Sequence, residues 1–304
     1  MLKLGAIDIG TNSMRMIIAK IEKGRIVESI KILKPTRMGE KVDQTSRLSK
    51  DAIDRNIKAL NEFVNIACKE GVNKLPIIAT SAVRDAKNKE IFIKRAEEEV
   101  GVKVDVITGE REAALGFMGV LKGINKDDEN ILVIDIGGGS TEFIFGNKEG
   151  IKFLCSLDMG AVRMTEKFVT TDPVSKKEVE DIQKAIADCM ESMIDSLGKF
   201  QIDKIIGIGG TATTLAAISK KMKVYDKAMI HNTKLCHEKV KAILSDFLSK
   251  TLENRKKLDG LEEKRADIIT AGTIILDKIL TMLNVDDITI SEYDNLEGLI
   301  FEQL

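Results

Sequence analysis

The chain has 304 residues, 43% of them hydrophobic and 31% charged, more than one ordinary domain needs and comfortable for two. A formal net charge of −1 exerts no long-range pull on a polyanion, so an anionic ligand must be held by local groups, and nucleic acid is not expected as the main partner. Two histidines, His231 and His237, and four scattered cysteines without a Cys-x-x-Cys pair exclude a histidine-rich metal centre, a zinc site and a disulfide framework.

Cys68, Cys155, Cys189 and Cys236 read as small core residues of a protein in a reducing compartment. The first apolar residues meet Asp8 too early for a secretion signal, and no apolar run approaches the length of a membrane span, so a cytoplasmic protein with no membrane partner is expected.

Strands are predicted near 4–9, 14–21 and 25–33, followed by a helix near 50–70 whose Ile53, Ile57, Leu60, Val64 and Ala67 keep helical spacing. A short strand at 75–79 leads into a loop at 80–85, then come a helix near 89–100, a strand near 102–107 and a helix near 111–122. The polar segment 122–130 reads as a hinge. The second half starts with a strand at 130–136 and another at 142–146. A long helix near 175–199 follows, then a strand at 204–208 that feeds a glycine turn and a helix from about Thr213. Helices near 236–250 and 262–283, a strand near 287–291 and a terminal helix complete the chain. Alternating strands and helices predict an α/β protein with a mixed or parallel sheet in each half. Met14, Met16, Met190 and Met193 read as core, and the basic clusters at 220–223 and 255–257 as solvated surface.

An internal repeat organises these elements. Ile7-Asp8-Ile9-Gly10-Thr11-Asn12-Ser13 recurs as Ile134-Asp135-Ile136-Gly137-Gly138-Gly139-Ser140, each copy a turn between two apolar strands. Glycine permits a sharp reversal, and the N–H groups with the hydroxyls and amide of Thr11, Asn12 and Ser13 can surround a phosphate oxygen. One such turn alone would be an ordinary hairpin; two, each preceded by an aspartate at the same offset, point to a duplicated anion site. In the second copy Gly137, Gly138 and Gly139 are followed by Ser140, Thr141 and Glu142, which places a further carboxylate just past the turn. Asp8 and Asp135 are hard oxygen ligands suited to magnesium.

A third turn, Gly207-Ile208-Gly209-Gly210-Thr211-Ala212, precedes a helix, where unpaired N–H groups favour phosphate. It also fits a dinucleotide-binding pattern, but the stretch that follows is not a strand ending in an acid, and no Gly-Lys-Ser/Thr makes it a nucleotide-binding P-loop. In Gly109-Glu110-Arg111-Glu112-Ala113 an acid at the head of a helix is either a dipole partner or a base for water attacking phosphorus. Arg15, Arg84 and Arg163 are candidate phosphate cations, Arg15 lying on a strand two residues beyond Ser13.

In this order, the segments at 6–15, 79–88, 108–114, 133–143 and 206–215, supported by 160–165, resemble the exopolyphosphatase / guanosine pentaphosphate phosphohydrolase family of the actin–Hsp70–sugar kinase superfamily. The resemblance covers essentially the whole chain. It implies two RNase H-like domains with mixed sheets flanked by helices, facing across a cleft: 1–121 with 294–304, and 122–293. It implies Glu112 as general base, Glu142 as an aid to the attacking water or the metal, and Asp8, Asp135 and Glu142 at an Mg2+ (or Mn2+) site. Thr11, Asn12, Ser13, Arg15, Arg84, Gly137, Gly138, Gly139, Ser140, Thr141, Gly209, Gly210 and Thr211 form the expected phosphate-binding set. The implied activity is release of terminal orthophosphate from polyphosphate, or hydrolysis of guanosine pentaphosphate; a non-catalytic phosphate or nucleotide sensor is the alternative of another class. A homodimer follows by family analogy. Many members carry Ser-Asp-x-Gly-Leu-Arg-Glu-Gly near the C-terminus; here it reads Ser291-Glu292-Tyr293-Asp294-Asn295-Leu296-Glu297-Gly298, without that glycine and arginine, so an altered affinity or chain-length preference is expected.

Overall fold

The structure is a computed structural model and describes residues 2–124 and 130–304. It divides into two compact units, Met1–Gly119 with Asp294–Leu304, and Val120–Tyr293. The first unit contains β1 (Leu2–Ile9), β2 (Met14–Glu22), β3 (Arg25–Lys34), α1 (Val42–Thr45), α2 (Lys50–Lys69), β4 (Ile77–Ala79), α3 (Ser81–Arg84), α4 (Lys89–Arg95) and β5 (Asp105–Val106). Helix α5 (Gly109–Gly123) carries the chain into the second unit. There follow β6 (Ile131–Ile136), β7 (Thr141–Asn147), β8 (Gly150–Leu157), α6 (Ala161–Phe168), α7 (Lys176–Leu197), β9 (Lys204–Ile208), α8 (Gly209–Ser219), α9 (Lys227–Ile230) and β10 (Thr233–Cys236). After α10 (His237–Leu248), α11 (Leu252–Arg255), α12 (Ile269–Met282) and β11 (Asp287–Ile290), α13 (Asn295–Glu302) returns to the first unit.

The duplication extends from the motif to the topology. The first sheet has the order β3-β2-β1-β4-β5 and the second β8-β7-β6-β9-β11, with β10 added at the edge. In each, the first three strands form an antiparallel meander and the next two run parallel to the central strand. Both sheets are therefore mixed, flanked by helices, and of the actin-like ATPase type.

Period-two alternation decides what each face carries. On β1 and β2, Ile7, Ile9, Met14, Met16 and Ile18 pack into a core with Ile53, Ile57, Leu60 and Phe63 of α2. The opposite face, Leu4, Ala6, Ile17, Ala19 and Ile21, packs under Leu296, Leu299 and Ile300 of α13. Asp8 shares the parity of Leu4 and Ala6, and Arg15 that of Ile17 and Ala19, so both occupy the polar end of the stripe that α13 covers. In the second unit Leu132, Ile134, Ile136, Phe143 and Phe145 build the core with α7, α8, α10 and α12, and Met190 and Met193 lie in it. Asp135 and Glu142 have the opposite parity. Serine caps start the long helices: Ser49 Oγ accepts from Ala52 N at 3.1 Å, and Ser175 forms a capping box with Glu178.

Several predicted elements are corrected. The loop expected at 80–85 holds the short helix α3, and the strand near 102–107 shrinks to two paired residues, β5. The helix after the third glycine turn begins at Gly209 instead of Thr213, and a 3-10 turn, Glu263–Arg265, separates from α12 what had read as one helix over 262–283. Strands β8 and β10 and helix α6 have no counterpart in the sequence reading. Of the expected hinge, 122 and 123 complete α5, and 125–129 lie outside the described residues. Of the cysteines expected in the core, Cys155 and Cys189 are partly buried and packed against that of the second unit, whereas Cys68 and Cys236 are exposed. Arg255, expected on the surface, is 3% exposed and donates to the carbonyls of Phe247, Lys250 and Ala266, which its five N–H groups make tolerable. No helix among the described residues is long and apolar enough to cross a membrane.

Candidate active site

Both repeat turns close with the same bond. Gly10 N donates to Ser13 O at 3.0 Å, and Gly137 N donates to Ser140 O at 3.0 Å. In both, the segment after the third strand folds back and takes up the turn's carbonyls. In the first unit Arg37 N donates to Asn12 O and Gly39 N to Thr11 O, both at 2.9 Å. In the second, Ala161 N donates to Gly137 O at 2.9 Å, Val162 N and Arg163 N to Gly138 O at 2.8 and 3.1 Å, and Arg163 Nε to Gly139 O at 2.6 Å. With these oxygens committed to protein donors, a turn can offer a ligand N–H and hydroxyl groups, which select an anion.

The close approach of these buttresses explains two glycines. A methyl group on Gly160 would lie closer than 3.0 Å to the Gly138 carbonyl and Gly139 N, and one on Gly39 would collide with the Thr11 side chain. The buttress Arg37–Gly39 was not anticipated, because nothing in its composition announces the contact. Arg163, a candidate phosphate cation in the sequence, instead braces the second turn through Gly139 O.

Each turn also meets the loop after the neighbouring parallel strand. Thr11 Oγ1 and Ser81 Oγ share a hydrogen bond of 2.8 Å, so Ser81 joins the first turn. In the second unit the Asp135 carboxylate lies against Gly209, which is left-handed at φ 77°; a methyl group there would collide with Asp135 Oδ1. The third glycine turn thus sits beside the second repeat, with Gly210 and Thr211 in the first turn of α8. The Arg265 guanidinium packs against Gly210, a neighbour that the sequence reading missed. Two members of the expected phosphate set serve the protein itself: Thr141 is fully buried with its hydroxyl donated to Met159 O, and Thr211 Oγ1 lies 3.4 Å from Ile136 O. Both residues are buried, so each hydroxyl turns to a protein carbonyl within reach.

The ladder of β1 and β2 sets Asp8 opposite Arg15, and the ladder of β6 and β7 sets Asp135 opposite Glu142. The duplicated position thus carries a cation in one unit and a carboxylate in the other. Arg15 Nη2 binds Asp8 Oδ2, and Nη1 binds Asp294 Oδ2 at 2.5 Å. Arg15 was expected to grip phosphate; here its guanidinium bridges two carboxylates. Burial pushes the Asp8 carboxyl above its ordinary range despite Arg15. At Asp294 burial acts in the same sense, but the charges of Arg15 and Lys31 and the Leu296 N–H hold it below.

Glu112 stands in the first turn of α5, and its Oε2 accepts from Arg84 Nη1 at 3.1 Å; the same nitrogen also donates to Ile107 O at 3.2 Å. The expected base and the expected phosphate cation are therefore partners, brought together by α3 and the head of α5. Glu142 is 1% exposed, and its Oε1 accepts from Ser156 Oγ at 2.8 Å.

The donor set fits a hard divalent cation in one respect that the residues themselves show: Asp8 Oδ1 is buried without a hydrogen-bond partner among the described residues. A buried carboxylate oxygen in that condition is expensive unless a cation or a donor completes it. Among the described residues no cluster of three acidic, histidine or cysteine ligands occurs, so a cation would complete its shell with water and ligand oxygens, as magnesium commonly does.

Two actin-like units with matched glycine turns, buried aspartates at the strand ends and a braced glutamate suit a protein of phosphoryl-group chemistry. The chain belongs to the Ppx/GppA phosphatase family, whose model matches residues 17–304. It is 40% identical over 307 residues to a bifunctional 3-dehydroquinate synthase/phosphatase of Fusobacterium nucleatum subsp. nucleatum, covering 98% of this chain and 46% of that protein. To exopolyphosphatase 2 of Mycobacterium tuberculosis it is 30% identical over 310 residues, covering 98% of this chain and 97% of that one. The crystal structure of the Aquifex aeolicus Ppx/GppA family member superposes with a TM-score of 0.84 at 32% identity, covering 99% of this chain and 97% of that one.

Proposed function

We propose that the protein is an exopolyphosphatase that releases terminal orthophosphate from linear polyphosphate by in-line attack of water. The observation that carries this reading is the pair of turns closed by identical bonds, each with its carbonyls capped from outside and an aspartate at the end of the preceding strand. Such turns hold phosphate oxygens through N–H and hydroxyl groups: Thr11, Asn12 and Ser13 in one unit, and Gly137, Gly138, Gly139 and Ser140 with Gly209 and Gly210 in the other. Its likeness to a named exopolyphosphatase extends over nearly the full length of both chains, which also favours polyphosphate.

Glu112 accepts the proton of the attacking water, and Arg84 keeps the carboxylate oriented. Glu142, held by Ser156, orients water or serves the metal site together with Asp135. Magnesium or manganese, for which Asp8, Asp135 and Glu142 are the candidate ligands, would supply positive charge to offset that of the phosphate oxygens. As the bond breaks, N–H groups of the turns offset the charge that develops on the departing oxygen. A cytoplasmic location and a homodimer belong to the same reading.

The test is purified protein with Mg2+ or Mn2+ and a panel of tripolyphosphate, long-chain polyphosphate and guanosine pentaphosphate, with released orthophosphate measured. Turnover of the polyphosphates is expected. Turnover confined to the pentaphosphate would replace polyphosphate as substrate, and binding without release across the panel would make the protein a sensor.

A further inference from the structure

Both oxygens of the Asp294 side chain are committed. Oδ1 accepts from Leu296 N at 2.9 Å and caps α13; Oδ2 accepts from Arg15 Nη1 at 2.5 Å. The side chain has no slack to leave. Its backbone N donates to Glu297 Oε2 at 3.1 Å, and Glu297 Oε1 in turn meets Lys31 Nζ at 2.9 Å. Helix α13 is itself seated against α5, because Gly119 leaves room for the Asp294 carbonyl and Gly298 for that of Leu115. Arg15 is thus clamped from both sides, by Asp8 across the β1–β2 ladder and by Asp294 from α13. Three carboxylates, of Asp8, Asp294 and Glu297, face two cations, Arg15 and Lys31, beside the first phosphate turn.

Resting on the phosphohydrolase reading, we infer that Asp294 is a positioning residue that withholds Arg15 from the ligand and so makes the site prefer short phosphoanhydrides over long, highly charged chains. Glycine at 294 would leave one side of the guanidinium open to phosphate. Asp294 closes it and adds a negative charge close to the turn. Each phosphate within about 10 Å of Asp294, a Debye length, brings about one more negative charge, so the penalty grows over the first few phosphates of a chain and then levels off. Asp8 gains from the same clamp: Arg15 fixes Oδ2 and leaves Oδ1 as the remaining oxygen.

The experiment is a double-mutant cycle on Asp294→Asn and Arg15→Gln. Asparagine caps a helix about as well as aspartate, so Asp294→Asn removes the charge and keeps α13 started. Binding of a methylene-bridged triphosphate analogue is measured by calorimetry, and kcat and KM are measured for tripolyphosphate and long-chain polyphosphate counted in chain ends. Asp294→Asn is expected to tighten the analogue about tenfold, a charge-assisted bond gained by a released arginine. It should lower KM for the long chain more than for tripolyphosphate while kcat changes by less than about twofold. In the Arg15→Gln background the same substitution is expected to gain no more than about threefold, the part due to charge alone. If Arg15→Gln does not fold, Arg15→Lys, which keeps the charge beside Asp8, takes its place. No tightening by Asp294→Asn, or equal tightening in both backgrounds, would overturn the inference. Absence of analogue binding to the unsubstituted protein would overturn it together with the phosphate-site reading. The expected cycle without orthophosphate release from any substrate would sink the hydrolase and leave the role of Asp294 standing.

Discussion

Alanine at Gly160 tests the buttressed turn with a single methyl group. Gly160 has φ −116° and ψ 165°, a conformation open to any residue, so the substitution brings no backbone strain of its own. The effect must come from the collision. The new carbon would stand closer than 3.0 Å to Gly138 C and O and to Gly139 N, whereas non-bonded atoms settle near ~3.5 Å, so α6 and the turn must part by about 1 Å. Overpacking of this kind costs ~1–3 kcal/mol. Parting also stretches the bonds from Ala161, Val162 and Arg163 to the carbonyls of Gly137, Gly138 and Gly139, each worth ~1 kcal/mol when well formed. A loss of about 3 kcal/mol is expected, which for a unit of this size lowers the melting temperature by about 6–12 °C. A turn displaced by that distance should cost about 100-fold in kcat/KM. Calorimetry and orthophosphate release on the same preparation give both numbers. Gly198→Ala is the control, since a methyl group there meets its nearest atom at an ordinary 3.4 Å. If Gly160→Ala melts and turns over like the unsubstituted protein, the buttress does not position the turn.

Glu112→Gln is expected to lower kcat by about 1000-fold while analogue binding changes by less than about threefold, as loss of a general base requires; unchanged kcat would remove Glu112 from the chemistry. Arg84→Ala should cost about 100-fold in kcat/KM, and Arg84→Lys should restore only part, because one ammonium can take the place of Nη1 beside Glu112 and Ile107 O but cannot also supply the Nε that lies 3.7 Å from the Asp85 carboxylate; full rescue by lysine would show that charge alone matters. Glu178 accepts from the N–H groups of Thr170, Thr171 and Ser175 at 2.7, 2.9 and 2.8 Å and from three hydroxyls. Burial opposes its charge, but these donors prevail and drive its pKa far below the ordinary 4.5. Because the folded value is the lower one, the ionised carboxylate stabilises fully above pH 4.5 and that contribution fades as the pH falls further. Glu178→Gln should therefore lose about 2 kcal/mol at neutral pH and progressively less in acid, read from melting curves across pH; a deficit independent of pH would contradict the assignment.

How much of the site was legible in the sequence depended on how local its signals are. The repeat was visible because a turn between two strands is written in adjacent residues: Asp8 and Asp135, Gly10 and Gly137, Ser13 and Ser140 hold their places without help from elsewhere in the chain. Helix α2 and the core methionines were visible for the same reason, since apolar spacing is a local property. The segment 37–39 was not, and 160–163 stood out without its buttressing role, because a backbone N–H that reaches a distant carbonyl leaves no mark on residue type. Arg255 misled for a related cause: its neighbours Lys256 and Lys257 make a basic run, but the fold turns that one guanidinium inward to several carbonyls.

What the sequence by itself determined is the duplicated pair of glycine turns, the acid that precedes each, and an α/β chain built around them. Which cation serves which acid was decided only in three dimensions. Arg15 and Asp294 are 279 residues apart, and Arg84 and Glu112 are 28 apart. Charges of that kind choose partners by distance after the strands and helices have packed, and strand parity with the seat of α13, not spacing along the chain, sets that distance.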